Sequence, residues 1–381
     1  MAMPNTQNLE LYQERNIDMD KKPEFHGSDL EKIEEYYHIP KEEIICFSAN
    51  VNPLGLSKKV KKELASNLDV ITRYPDRNYT SLREAIGNYC SADPSHIVVG
   101  NGSTELISLL ISQRAPKKAL LLGPTYSEYS RELSLIGAST ETYHLQEEND
   151  FHLNVDDFLS HCTEDVALVI ICNPNNPTSS AIKKNDMEQI ICQCKKRNIF
   201  VMIDETYVEF APCIEEITAI PLTKRYDNLM VIRGVSKFYA APGLRFGYGI
   251  TSSEAFLKSL HQHQNPWSLN SVGAYTGELL LKDTDYFHET RALILSERAR
   301  MFARLSHMDG YKPYAAYGNF ILVRILKEGL TSFDVFEAAI KNRLMIRDCS
   351  SFESLTGEYI RFCIMNPEDN DRLLHVLNSL I

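Results

Sequence analysis

Val166-Ala167-Leu168-Val169-Ile170-Ile171-Cys172 is an unbroken apolar run that stops in the loop Asn173-Pro174-Asn175-Asn176-Pro177-Thr178. A strand wetted on one face alternates apolar and polar residues; this one does not, so it reads as buried on both faces. Working outward, Lys184 to Lys196 has helical spacing, and a second continuous apolar run, Ile199 to Ile203, follows it. Strand, helix and strand in that order predict a parallel crossover unit.

The rhythm continues in both directions. Upstream, Ser81-Leu82-Arg83-Glu84-Ala85-Ile86 reads as helix, Ile97-Val98-Val99 as strand, Thr104 to Ser112 as helix and Ala119 to Leu122 as strand; downstream, Leu229 to Ile232 is a further strand. The expected fold class is therefore α/β, with a mostly parallel central sheet in a large domain. After Trp267 the pattern changes to a long helical region, roughly Ser271 to Ser306, then a strand at Asn319 to Arg324, a helix near Phe333 to Asn342 and a strand-helix pair. That predicts a smaller α+β C-terminal domain. The expected division is a polar leader at 1–22, an N-terminal arm at 23–55 serving the substrate site and the small domain, a large domain at 56–268 and a small domain at 269–381.

Composition narrows the function classes. The 381 residues are 44% hydrophobic and 24% charged, enough for one large core and one smaller one. Net charge is −11 and no Lys/Arg block occurs, which argues against nucleic acid and anionic membranes as partners. An anionic ligand must then be met by a local basic pocket. The nine cysteines are irregularly spaced, neither a disulfide framework nor a zinc pattern, and with no signal peptide they point to a reducing cytoplasm. No apolar stretch approaches the roughly 18 residues that span a bilayer.

Ligand-binding signals cluster at strand ends, where an open α/β sheet places its site. Val99-Gly100-Asn101-Gly102-Ser103-Thr104-Glu105 runs from strand through a glycine turn into a helix whose first N–H groups are free for a phosphate, although such a turn also starts ordinary helices. The Asn173 to Thr178 loop can point an asparagine amide into the site. Ile203-Asp204-Glu205-Thr206-Tyr207 ends a strand in an acid. Most informative is Ser236-Lys237-Phe238-Tyr239-Ala240-Ala241-Pro242-Gly243-Leu244-Arg245-Phe246-Gly247-Tyr248. A lysine among small residues and a Pro-Gly turn can lose its proton and attack an aldehyde, and an arginine close by can hold a phosphate. Pyridoxal 5′-phosphate needs both, and an acid such as Asp204 pairs with its ring nitrogen.

Taken together, these residues resemble the fold type I pyridoxal-phosphate enzymes of the aminotransferase class I/II group, across nearly the whole chain. Within it the chain is similar to the threonine-phosphate decarboxylases and histidinol-phosphate aminotransferases. The resemblance rests on Phe47 to Gly55, Arg73-Tyr74-Pro75-Asp76, Gly100-Asn101-Gly102, Asn173 to Thr178, Asp204, Lys237, Arg245, Pro266 to Asn270 and Arg347-Asp348-Cys349. It implies that Lys237 forms the Schiff base and Asp204 holds the pyridine nitrogen. It further implies that Asn176 and Tyr207 meet the ring oxygen, that Tyr126 stacks on the ring, and that Gly102, Ser103, Thr104, Ser236 and Arg245 cradle the phosphate. Tyr74 would reach that phosphate from a second subunit, so a homodimer is implied. Arg361 would grip a substrate carboxylate and Arg347 a substrate phosphate, with His26, Ser28, Asn52 and Asn176 lining the same site.

Three positions depart from the group's pattern: Gly234 stands where a phosphate-donating Ser or Thr is usual, Ser179 replaces a glycine, and Ser103 replaces alanine or glutamate. Two arginines suit a substrate with two separate anions. The expected reaction is decarboxylation of O-phospho-L-threonine or O-phospho-L-serine. Transamination of histidinol phosphate or an aromatic amino acid is the alternative, because both reactions use the same lysine, acid and cofactor.

Overall fold

The computed structural model describes Phe25, residues 27–352 and residues 354–381. The leader at 1–22 and His26 lie outside the described residues. Among the described residues thirteen strands follow one another as β1 (Ile45–Cys46), β2 (Ile97–Asn101), β3 (Lys118–Gly123), β4 (Ser139–His144), β5 (Leu168–Cys172), β6 (Phe200–Asp204), β7 (Leu229–Gly234), β8 (Phe246–Ile250), β9 (Tyr311–Pro313), β10 (Phe320–Ile325), β11 (Leu344–Met345), β12 (Arg347–Asp348) and β13 (Tyr359–Cys363).

A seven-stranded sheet in the order β2-β8-β7-β6-β5-β3-β4 forms the larger layer. Strands β7, β6, β5, β3 and β4 run parallel, while β8 is antiparallel to both its neighbours. Every residue of β5, β6, β7 and β8 is buried, which is why their sequences lack alternation. Register fixes the site. Cys172 pairs with Asp204 and Asp204 with Ile232, so β5, β6 and β7 end side by side and release the asparagine loop, the acid and the lysine segment together. At the sheet edge Asn101 pairs with Phe246, which sets Gly102 beside Arg245.

A four-stranded antiparallel sheet, β12-β13-β10-β9, forms the smaller layer, and β1 pairs in parallel with β11 beside it. The N-terminal arm is bound here too, since Cys363 N–H donates to the Phe47 carbonyl at 2.8 Å.

The helical region after Trp267 differs from expectation in two ways. It is two helices, Ser271–Leu281 and Thr284–Ser306, because Asp283 caps the second by accepting from Tyr286 N–H and is itself fixed by the Ser57 hydroxyl at 2.5 Å. The first helix packs on the large sheet: Gly277 lies so close to Phe246 and Leu82 that a Cβ there would stand 3.2 Å or less from both side chains. The boundary placed at 268/269 assigned this helix to the smaller unit.

Candidate active site

Asp204 ends β6 with 5% exposure. Its Oδ2 accepts from the Tyr129 hydroxyl at 2.7 Å, and its Oδ1 accepts from Thr206 N–H at 2.9 Å and the Thr206 hydroxyl at 2.5 Å. Burial pushes the carboxyl up, and these donors pull it partly back. Among the described residues no Lys or Arg forms an ion pair with it. A buried carboxylate held by hydrogen bonds and lacking a cation is the setting a protonated ring nitrogen fits.

Lys237 follows β7, and its Nζ donates to the Ala49 carbonyl at 2.6 Å. Burial first, and then the Arg361 charge, push its amine down to about 8. A substantial neutral fraction near pH 7 to 8 is what a nucleophilic amine requires. The lysine carbonyl accepts from Asn52 N–H at 3.0 Å, so the arm and the lysine loop are fastened twice.

At the start of the helix Gly102–Arg114, Gly102 has φ +80°, and a Cβ there would stand 2.9 Å from Arg245 Cζ. Only glycine satisfies both the backbone conformation and the approach. Ser103 and Thr104 occupy the first turn, whose N–H groups have no partner within the helix. Arg245 is exposed at φ +53°, its guanidinium donates to the Pro242 carbonyl at 3.3 Å, and among the described residues it forms no ion pair. A Cβ on Gly234 would lie 3.5 Å from the Ser103 hydroxyl oxygen, so Ser103 borders the place where a residue-234 side chain would begin. Ser236 sits half-buried next to the lysine. This is an anion cradle of backbone, hydroxyl and guanidinium donors.

On the other side, Arg361 of β13 is 5% exposed; it donates from Nη1 to Asn176 Oδ1 and from Nη2 to the Ser48 carbonyl at 2.6 Å, while its Nε has no partner among the described residues. Phe320 lies under the guanidinium, 5.4 Å from its ring centre, and packs edge-on against Tyr207 at 4.9 Å. Tyr207 O–H accepts from Asn50 Nδ2 at 3.4 Å. Arg347 of β12 is the direct cross-strand partner of Arg361. Its Nη1 donates to the Phe25 carbonyl and its Nη2 to the Ser351 hydroxyl at 2.8 Å. Neither arginine has an ion-pair partner among the described residues. Like charges set opposite each other destabilise a strand pair, so this arrangement calls for anions between them.

The remaining expected residues fall as follows. The Gly27-Ser28 turn passes against Arg361, for a Cβ on Gly27 would meet the Ser48 carbonyl at 2.6 Å and Arg361 Nη2 at 3.7 Å; Ser28 itself is exposed. His26 lies outside the described residues. Tyr126 is 40% exposed and stands edge-on to Tyr129 at 5.6 Å. Tyr74 is 81% exposed against Trp267 at 4.9 Å, on the surface of this chain. Asn52 is a correction to the substrate set. It is 2% exposed, its Nδ2 reaches the Phe238 carbonyl and the Tyr286 and Thr290 hydroxyls at 2.8 to 2.9 Å, and its Oδ1 accepts from Leu54 N–H. Its polar atoms are consumed in packing the lysine loop against the helix Thr284–Ser306.

Several contributors went unnamed by the sequence. Tyr129 carried a signal, since it follows Tyr126 at helical spacing. Thr206 carried one as well, because a Thr two residues after an Asp closes a local turn on it. Asn50 and the Ala49 and Ser48 carbonyls lie in the Phe47 to Gly55 stretch on which the resemblance rests, but their contacts could not be read from it, since their partners come from distant segments.

The family model for aminotransferase class I and II matches residues 42–377. The chain is 33% identical over 356 residues to the threonine-phosphate decarboxylase of Salmonella typhimurium, covering 93% of this chain and 96% of that one. It resembles the crystal structure of the histidinol-phosphate aminotransferase from Clostridium acetobutylicum with a TM-score of 0.82 and 31% identity, over 88% of this chain and 98% of that one. The histidinol-phosphate aminotransferase from Sinorhizobium meliloti in complex with pyridoxal-5′-phosphate shares the fold, with a TM-score of 0.82 at 18% identity over 97% and 99% of the two chains. Pyridoxal 5′-phosphate is the cofactor, and the residues fit it: an amine for the aldehyde, a buried acid without a cation, and a cradle of anion donors.

Proposed function

The chain belongs to the class I and II aminotransferase family, and from that membership we propose that it decarboxylates an O-phospho-L-amino acid, O-phospho-L-threonine or its analogue O-phospho-L-serine, giving the amino-alcohol phosphate and CO2. The observation that carries this reading is the cross-strand pair Arg347 and Arg361, two guanidinium groups on neighbouring strands that form no ion pair among the described residues. A phospho-amino acid brings one anion for each, whereas histidinol phosphate brings only its phosphate.

Pyridoxal phosphate, when bound, supplies an electron sink for the pair released at Cα. Arg361, with Asn176 against its Nη1, binds the carboxylate, and Arg347 with Ser28 binds the phosphate. Anchoring both ends sets the rotation at Cα, which decides whether the carboxylate or the proton departs. Asp204 keeps a negative charge in a buried place, supported by Tyr129 and Thr206. Gly102, Ser103, Thr104, Ser236 and Arg245 would hold the cofactor phosphate, Tyr126 would stack on the ring, Asn176 and Tyr207 would meet its oxygen, and the Lys237 amine would return a proton to Cα.

The working unit is a homodimer. Leu68 (52% exposed), Ile71 (65%), Tyr74 (81%) and Trp267 (40%) present large apolar side chains at the surface, a face suited to a second copy that would receive Tyr74 at its cofactor phosphate.

The test is to supply pyridoxal phosphate and either phospho-amino acid, with no oxo acid, and to assay CO2 and the amine. Release of CO2 supports the reading and selects the substrate. Amino transfer from histidinol phosphate to 2-oxoglutarate, with no CO2 from either compound, overturns it.

A further inference from the structure

Ser179 has φ +60°, in the left-handed region where a side chain is disfavoured, yet it is fully buried. A serine kept in such a conformation calls for a reason in its surroundings. Its hydroxyl oxygen accepts from Gly318 N–H at 2.9 Å, its carbonyl accepts from Tyr317 N–H at 2.8 Å, and its own N–H donates to the Asn175 carbonyl at 2.8 Å. The opposite edge of the same two residues is held as well, since Arg298 Nη1 donates to the Tyr317 and Gly318 carbonyls at 3.0 and 2.6 Å and to Phe210 at 3.0 Å.

Tyr317-Gly318 leads directly into β10, whose first residue, Phe320, lies under Arg361 and against Tyr207. Asn176, which accepts from Arg361, stands three residues before Ser179 on the asparagine loop. Both partners of the Arg361–Asn176 contact thus hang from one junction between the two sheets.

We infer that Ser179 is a positioning residue, a latch whose hydroxyl fastens the asparagine loop to the start of β10 and so sets Arg361 and Asn176 for the substrate carboxylate. A glycine there would adopt the backbone more readily and lose the latch. The inference rests on the role proposed for Arg361.

The experiment uses the pyridoxal-phosphate-loaded protein and the variants Ser179→Gly, which removes the backbone strain, and Ser179→Ala, which keeps it. Amide hydrogen exchange across Tyr317 to Phe320 is measured, together with the dissociation constants of O-phospho-L-threonine and of pyridoxal phosphate. Both variants are expected to speed exchange at the Gly318 amide and weaken O-phospho-L-threonine by about three- to tenfold, as the loss of one hydrogen bond gives, with cofactor affinity within about twofold. Unchanged Gly318 exchange in Ser179→Gly overturns the latch, as does a loss of cofactor affinity equal to that of substrate. If O-phospho-L-threonine does not bind the unsubstituted protein, the substrate reading fails separately, and exchange alone decides for or against the latch.

Discussion

The Lys237 amine donates to the Ala49 carbonyl at 2.6 Å, while Arg361, from the smaller sheet, opposes the charge on that amine. Burial and this repulsion place the group at about 8, so the neutral fraction of this amine depends on both sheets being closed on one another. In protein stripped of cofactor, the rate of pyridoxal phosphate incorporation should rise with pH through about 8, following the neutral amine. Arg361→Gln removes the repulsion and leaves the burial, so its profile should move to higher pH. Superimposable profiles would show that Arg361 does not act on the lysine.

Arg361→Lys keeps a cation but loses the planar fork that serves Asn176, the Ser48 carbonyl and a carboxylate at once. One charge-assisted hydrogen bond is worth about 1.5–3 kcal/mol, so kcat/KM should fall by about ten- to 150-fold. Arg347→Lys should fall similarly if a second anion is bound there. An intact kcat/KM in Arg347→Lys would remove the two-anion argument.

Tyr129→Phe deletes the hydroxyl that donates to Asp204 Oδ2 at 2.7 Å. That donor holds the Asp204 carboxyl below where burial alone would carry it, so its loss should raise the group further. The sign follows: activity that needs the carboxylate ionised should fail at a higher pH than in the unsubstituted enzyme. The acid limb of the kcat profile measures this, and Asp204→Asn should abolish turnover across the whole range.

How far the sequence carried these groups is a matter of sequence distance. Unbroken apolar runs announced β5, β6 and β7, and their strand ends announced Asn176, Asp204 and Lys237, because those signals are local. The Ala49 and Ser48 carbonyls and the Tyr129 hydroxyl became visible only in three dimensions, where 188 residues separate Ala49 from Lys237 and 75 separate Tyr129 from Asp204. Asn52 went wrong for a related reason. A polar residue in a motif looks like a ligand group until its buried partners, Tyr286 and Thr290, are seen to come from a helix 234 to 238 residues away. The break at Asp283 is marked in the sequence only by the polar run Lys282-Asp283-Thr284-Asp285, which one exposed turn of a continuous helix would also tolerate.

Arg298 is 7% exposed and spends its guanidinium on the Phe210, Tyr317 and Gly318 carbonyls, with burial pushing it down to about 10. Arg298→Met relieves a desolvated charge but leaves three carbonyls without their donor. Unmet buried acceptors cost about 1–3 kcal/mol, so the variant should lose about that much stability in urea, with the unfolding slope unchanged.

Next to Asp204 in sequence, Glu205 accepts at Oε2 from Arg233 Nε and Nη2 at 3.0 and 2.7 Å, and Arg233 stands 3.7 Å from Glu209. Glu209 is 2% exposed, and its Oε2 has no partner among the described residues. Burial outweighs the arginine and pushes this carboxyl up to about 7. A carboxyl raised on folding binds its proton more tightly in the native state, so its contribution is full below the ordinary 4.5 and is lost as pH rises through about 7. Glu209→Gln has no proton to lose. Between pH 5 and pH 8 the unsubstituted protein should therefore lose about 2 kcal/mol relative to the variant. Urea midpoints of both proteins across that range measure it. Curves that stay parallel would mean that Arg233 keeps Glu209 ionised throughout, and that the pair beside Asp204 behaves as a fixed ion cluster.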